Sequence, residues 1–308
     1  MRRWILSPGW LIGALWLLGA CAPQDYPYVR LRAEGEGAVV ALERAPGRLP
    51  LRVAVAPVIS PRATFETYSP LLDYLAHRLD RPVELLQRPT YAEINDLIRT
   101  GQADLGFVCG GAFVEGEREG YMELLVVPQI NGTTTYHSLI IVPADSPFYR
   151  LEDLRGRRFA FTDPLSNSGR LYVQYRLAQI GETPESFFQN AFFTYSHDNS
   201  IRAVAQGLAD GASIDSLVYE ALSHSEPDLI AGVRVIERSP PFGIPPVVVH
   251  PELNPELKEA LREAFLKMHE DPQGRGALTM LRVERFVLPD PEAYEDIRRM
   301  AAKIRGWP

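Results

Sequence analysis

The alternation of strand and helix signals between Leu51 and Val108 constrains the fold more than any other feature of the chain. Leu51-Arg-Val-Ala-Val-Ala-Pro57 reads as a strand, and Ser69-Pro70 offers an N-cap with proline at the first helical position before Leu71, Leu72, Leu75 and Leu79 at helical spacing. A second strand, Val83 to Leu86, runs into the capping box Thr90-Tyr-Ala-Glu93 and a helix through Ile94, Leu97 and Ile98 that ends at Gly101. Ala103 to Val108 is a third strand, apolar almost throughout, as suits a parallel sheet buried on both faces. This βαβαβ order predicts an α/β lobe.

A second unit of the same kind follows the strands Leu124 to Pro128 and Ser138 to Val142. It has a helical turn at Leu151 to Leu154, a strand at Arg158 to Thr162 and a helix from Gly169 to Ile180. Ala191 to Tyr195 and Gly211 to Ile214 read as further strands, with a helix from about Asn199 to Leu208 between them. The proline-rich Ser239-Pro-Pro-Phe-Gly-Ile-Pro-Pro246 is stiff and leads to Val247-Val248-Val249, a strand expected to return to the first sheet. Asn254-Pro255 caps a helix to about His269, and Asp290-Pro291 caps a last one to Ile304. The expected division is 51–139 for the first part of lobe 1, 140–239 for lobe 2, and 240–308 for the return of lobe 1. Two lobes joined by two crossing segments would put a ligand cleft between them.

The N-terminus reads as an export signal. Arg2 and Arg3 precede an apolar run from Trp4 to Ala20 that ends in Leu18-Gly19-Ala20-Cys21, which resembles the lipobox where bacterial lipoprotein signals are cut and the cysteine is acylated. Pro8 and Gly9 interrupt a run already short of the ~20 residues a spanning helix needs. Residues 1–20 are therefore expected to be a signal peptide and Cys21 a lipid anchor, placing the protein outside the cytoplasm on a membrane. Residues 21–50, rich in Pro, Gly and charge, read as a tether.

Removing Arg2 and Arg3 with the signal takes the formal charge from −7 to −9, which argues against nucleic acid and against adsorption to anionic lipid. An anionic ligand must then be attracted locally, by backbone N–H groups and neutral donors. Cys109 would be the one remaining cysteine and, after an apolar run, reads as a small buried thiol.

The most informative stretch is Phe161-Thr-Asp-Pro-Leu-Ser-Asn-Ser-Gly-Arg170, a strand end opening straight onto a helix. A helix N-terminus presents unpaired N–H groups and about half a positive charge, and Ser166, Asn167 and Ser168 add side-chain donors beside it. That chemistry suits a tetrahedral oxyanion, although a single cap would explain one of these residues. Phe193-Thr-Tyr-Ser-His197-Asp198 is a second strand end entering a helix, where His197 can donate to an anion or serve structure alone.

Four motifs together carry a resemblance. Asp163-Pro-Leu-Ser-Asn-Ser-Gly169, Ser196-His-Asp198, the Gly-x-Ala-Asp104 before an apolar strand, and Leu151-Glu-Asp-Leu-Arg-Gly156 resemble the phosphate/phosphite/phosphonate-binding family of periplasmic proteins that serve ABC transporters. The resemblance covers about Leu51 to Met300. It implies the type II two-lobe α/β fold of periplasmic binding proteins, each lobe a mixed sheet flanked by helices. It also implies a small anionic ligand, an ABC transporter permease as partner, and neither cofactor nor metal nor catalysis.

In that family the oxyanion is held by the serine-rich turn, a histidine of the second lobe and tyrosines of the first. Matched by motif, these are Ser166, Asn167, Ser168, His197, Tyr91 in the capped helix start, and Tyr136 in Thr-Tyr136-His-Ser. The residues alone leave Tyr91 open as a helix-packing aromatic and Tyr136 as a hinge residue. Asp215, at a strand end, either accepts a proton-bearing ligand oxygen or caps the helix at Leu217 to Leu222.

Two departures bear on the ligand. The middle of the turn, threonine in aminophosphonate binders of the family, is Asn167 here, and Phe242-Gly-Ile-Pro-Pro246 lacks the acids that meet a ligand ammonium there. A smaller anion, or one with an uncharged tail, is expected. The alternatives are a binding protein reporting to a membrane signalling receptor, and a hydrolase, for which no His-Glu-x-x-His, Gly-x-Ser-x-Gly or zinc spacing occurs among the six histidines.

Overall fold

The computed structural model describes residues 49–304 with Gly306 and Trp307, so the signal segment, Cys21 and the tether up to residue 48 lie outside the described residues. The chain runs through β1 (Leu51–Val55), α1 (Pro61–Leu79), β2 (Val83–Gln87), α2 (Tyr91–Arg99), β3 (Leu105–Phe107), α3 (Gly110–Arg118) and β4 (Glu123–Gln129). Next come β5 (Thr135–Tyr136), β6 (Ser138–Pro143), β7 (Arg158–Phe161), α4 (Tyr172–Gln179), α5 (Pro184–Phe187), β8 (Asn190–Phe193) and α6 (His197–Ala205). They are followed by β9 (Gly211–Asp215), α7 (Ser216–Ser225), α8 (Pro227–Ala231) and β10 (Val233–Arg238). The chain closes with β11 (Phe242–Gly243), β12 (Val247–Val249), α9 (Pro255–Leu266), α10 (Pro272–Leu281), β13 (Arg285–Val287) and α11 (Glu295–Lys303).

Among the described residues these strands form a six-stranded sheet in the order β13-β4-β12-β3-β1-β2 and a five-stranded sheet in the order β10-β6-β9-β7-β8. β1 lies parallel between β2 and β3, and β12 returns to this sheet antiparallel to β3 and β4, as expected of Val247 to Val249. In the second sheet β7 is parallel to β8 and β9, while β6 is antiparallel to β9 and β10. Both are mixed sheets flanked by helices.

Alternate residues of β1 explain its continuous apolar reading. Val53 and Val55 pack with Leu71 and Leu75 of α1 on one face, while Ala54 packs with Tyr91 and Ile94 of α2 on the other. A separate core, with Leu139, Ile141, Ile201 and Ile214, fills one face of the second sheet. The cluster containing Tyr91 continues through Tyr136, Leu165 and Leu171 and so joins both sheets.

Two segments cross between the sheets and pair as β5 and β11, with Tyr136 opposite Phe242 and Gly243 opposite Thr135. Gly243 is required by crowding, since a Cβ there would sit 2.9 Å from the carbonyl oxygen of Ala293. Tyr136 is thereby fixed on a crossing strand, its ring edge-on to Phe242 at 6.3 Å.

The start of α1 corrects the sequence reading. The helix begins at Pro61 after Ser60, and Pro70 lies inside it. Ser60-Pro61 carries the same cap-and-proline signal as Ser69-Pro70, and the helix tolerates Pro70, with the Ser69 hydroxyl donating to the Phe65 carbonyl 2.6 Å away.

Candidate functional site

The turn after β7 is wider than an α-helical start. Asn167–Leu171 form a π-helical turn, and Ser166 caps it by accepting the Gly169 N–H at 2.9 Å. Glycine is needed at position 169, because a Cβ would lie 2.5 Å from the side chain of Thr162. The carbonyl of Ser168 accepts both the Ser138 hydroxyl at 2.7 Å and the Ser213 hydroxyl at 2.5 Å, so two neighbouring strands of the second sheet hold the turn. Ser166, Asn167 and Ser168 are each 0% exposed.

Opposite the turn stand residues of the first sheet and the crossing strand. The Tyr136 hydroxyl accepts from Asn167 Nδ2 at 3.0 Å, and the Asn167 N–H points to Cys109 Sγ at 3.4 Å. Tyr91, the first residue of α2, is wholly buried, and its N–H donates to Asp163 Oδ2 at 3.1 Å. This N–H is one of the donors a helix leaves unpaired at its start, and here a carboxylate from the other lobe satisfies it. Asp163 also accepts the Leu165 N–H at 2.8 Å. Burial raises the Asp163 pKa, and those two N–H groups work against the rise.

His197 opens α6, and its own N–H donates across the cleft to the Val58 carbonyl at 3.0 Å. Its ring Nδ1 lies 3.1 Å from the Asp215 N–H and 3.0 Å from the Thr162 hydroxyl. A backbone N–H can only donate, so Nδ1 accepts and the ring proton sits on Nε2. Burial pushes the imidazole pKa down to about 3, which keeps the ring neutral, with one donor and no net charge. Asp215 caps α7 by accepting the Leu217 N–H at 2.6 Å. Burial pushes its pKa up to about 7, although the N–H groups of Leu217 and Val218 favour the carboxylate.

Among the described residues, several buried polar atoms here have no partner: Tyr91 Oη, Asn167 Oδ1 and Ser168 Oγ. The Ser168 hydroxyl is directed toward Tyr136, whose acidity it affects, without reaching hydrogen-bond geometry. Burial holds both phenols well above the ordinary tyrosine value, so each keeps its proton as a donor. Unpartnered buried hydroxyls are costly, about 1–3 kcal/mol each. A ligand atom that accepts from such a hydroxyl removes that cost.

The structure thus brings Tyr91, Tyr136 and the turn 166–168 into one buried cluster. His197 and Asp215 bond to each other, and the charge of Asp215 reaches both phenols. The capping alternative for Asp215 describes its bonds, and Tyr136, for which a hinge role was the alternative, lies on the crossing strand β5. Sequence reading missed the parts played by Asp163, Cys109, Ser138 and Ser213, all of which act through contacts distant in the chain. Cys109 is a buried free thiol. Among the described residues, no group of three or more His, Cys, Asp or Glu side chains is arranged to hold a metal ion.

Comparison with known proteins gives a consistent picture. Residues 53–294 match the family described as the periplasmic substrate-binding protein of phosphonate ABC transporters. The chain is 25% identical over 219 residues to the phosphonates-binding periplasmic protein of Escherichia coli, a match covering 70% of this chain and 64% of that protein. It is 27% identical over 261 residues to the phosphate-import protein PhnD of Mycolicibacterium smegmatis, covering 81% of this chain and 77% of that one. A binding-protein component of an ABC phosphonate transporter from Pseudomonas aeruginosa superposes with a TM-score of 0.78 at 24% identity, over 84% of this chain and 90% of that chain. The last likeness establishes the type II two-lobe fold.

Proposed function

The chain belongs to the family of periplasmic substrate-binding proteins of phosphonate ABC transporters, and on that premise we propose that it captures a small phosphorus oxyanion in the cradle between its lobes and delivers it to an ABC importer. Proteins of this family bind rather than transform their substrate, and they work outside the cytoplasm. The proposed cradle is Ser166, Asn167, Ser168, Tyr91, Tyr136 and His197, with Asp215 at its edge. The observation that supports the reading is the pair of buried, unpartnered hydroxyls, that of Ser168 within the π-helical turn and that of Tyr91 at the start of α2. Hydrogen bonds to a charged group contribute about 1.5–3 kcal/mol each, so four or five outweigh the cost of ordering and closing the lobes. A phosphonate, phosphite or phosphate fits these donors. Asp215 can accept the hydrogen of a singly protonated ligand or donate its own.

The lipobox-like Leu18-Gly19-Ala20-Cys21 supports attachment to a membrane through acylated Cys21. A thermal-shift screen of small phosphorus and sulfur oxyanions tests the binding function, because a ligand of the folded state raises its melting temperature by mass action. Stabilisation by phosphonate, phosphite or phosphate supports the reading. No shift with any of them at millimolar concentration removes it.

A further inference from the structure

The carboxylate of Asp163, just after β7, bonds on both sides of the cleft and is not among the residues proposed to touch the ligand. Its Oδ1 accepts the Leu165 N–H of its own turn at 2.8 Å, and its Oδ2 accepts the Tyr91 N–H of the first lobe at 3.1 Å. We infer that Asp163 is a latch and a positioning residue: its bond to Tyr91 forms only when the lobes close, holds Tyr91 against the turn, and sets how tightly the closed protein retains an oxyanion. The inference rests on the head-group site proposed above and adds to it a residue that makes no ligand contact.

Three further contacts run along the same seam. The Leu165 carbonyl lies over Gly111 of α3, where a Cβ would come within 2.3 Å of it. The Asn167 N–H reaches Cys109 Sγ at 3.4 Å, and the Asn167 side chain reaches Tyr136 Oη at 3.0 Å. Each joins the turn of the second lobe to the first lobe or the crossing strand, so opening the cleft breaks them together with the Asp163 bond. Of the four, the Asp163 bond alone involves a carboxylate. The start of α2 presents an unpaired N–H and the positive end of the helix dipole, and a carboxylate is held there more strongly than a neutral acceptor. Asp163 is 1% exposed, so water does not compete for the bond while the lobes are closed.

In every other respect the placement is unfavourable for a receptor of anions. A carboxylate at the head of the turn 166–168 repels an oxyanion bound there. Two accounts of Asp163 therefore predict opposite signs. If it served only to cap its own turn at Leu165, the neutral and nearly isosteric Asp163→Asn would hold an anion as well as the wild type or better, because a like charge is gone. If it is a latch, the same change sets an amide N–H2 group against one of the two backbone donors, the closed state loses a bond that the open state never had, and apparent affinity falls with the fraction of closed protein.

The test is methylphosphonate binding by calorimetry and stopped flow, together with amide hydrogen exchange at Tyr91. Losing a hydrogen bond to a charged group corresponds to about tenfold or more in affinity, so Asp163→Asn should bind at least that much more weakly, mainly through faster dissociation. Exchange gives a reading on the wild-type protein that stands whether or not the variant folds. The first N–H of a helix has no partner within the helix, so at Tyr91 the latch alone protects it, and methylphosphonate should slow its exchange roughly tenfold or more. If the wild type binds methylphosphonate while Asp163→Asn binds it equally or more tightly, or while the Tyr91 amide exchanges as fast with ligand as without, the latch is overturned and the head-group reading survives. If the wild type binds no methylphosphonate, phosphite or phosphate, the head-group reading falls and the latch with it.

Discussion

The backbone N–H of Asp215 donates to Nδ1 of His197 at 3.1 Å, and this contact decides which ring nitrogen carries the proton. With Nδ1 accepting, the neutral ring keeps a single donor at Nε2, which has no partner among the described residues. A neutral donor costs less to bury than an imidazolium and can still meet a negative guest. The pairing joins a base with a lowered pKa to an acid with a raised one.

Opposed pH dependences of stability follow. His197 is lowered from 6.5 to about 3, so between those values the unfolded chain binds the extra proton and stability falls as pH falls. Asp215 is raised from 3.8 to about 7, so in that window the folded chain binds the extra proton and stability falls as pH rises. The two contributions oppose each other between about pH 4 and 6.5. Relative to wild type, Asp215→Asn should gain stability as pH rises from 4.5 to 6 and His197→Gln should lose it, with slopes of at most about 1.4 kcal/mol per pH unit. Urea unfolding at the two pH values measures both. Parallel profiles for variants and wild type would mean that neither group is buried as described.

Ser168→Ala separates binding from stability. The Ser168 hydroxyl has no hydrogen-bond partner among the described residues, so its loss should leave the melting temperature nearly unchanged. Affinity for methylphosphonate should fall by about 1–3 kcal/mol. Equal affinities of variant and wild type in calorimetry would remove the hydroxyl from the site.

The cradle's surroundings also rank small ligands. Phe242-Gly-Ile-Pro-Pro246 contains no acid to meet an ammonium group. Methylphosphonate, phosphite or phosphate should therefore bind better than 2-aminoethylphosphonate in competition calorimetry. The opposite order would place a cation site where none is proposed.

The proposed attachment to a membrane rests on acylation of Cys21. Cys21→Ser should move the protein from the membrane fraction to the soluble exported fraction, because a thioether-linked lipid can no longer form. Unchanged fractionation would rule out acylation at this residue.

Much of the architecture was legible in sequence because its signals are local. The helix of Tyr91–Arg99 announces itself in Thr90 and Glu93, and the Thr90 side chain does accept the Glu93 N–H. The helix of Pro272–Leu281 is an addition to the sequence expectation, although Asp271-Pro272 carries the same start signal as Asn254-Pro255. The helix Gly110–Arg118 was hidden by its glycines, one of which, Gly111, has no room for a Cβ against the Leu165 carbonyl. The donors of the turn at 166–168 could be read because they are adjacent in the chain. The clasp from Asp163 to the Tyr91 N–H joins residues 72 apart, and no spacing rule exposes such a contact. Asp215 remained open between two roles because one carboxylate can cap a helix and still line a cavity.

A crystal structure of the protein with methylphosphonate tests the central claim most directly. The account expects the phosphonate oxygens within hydrogen-bond distance of Ser168 Oγ, Tyr91 Oη and His197 Nε2. A phosphonate bound elsewhere, with the Tyr91 and Ser168 hydroxyls still unpartnered, would contradict it.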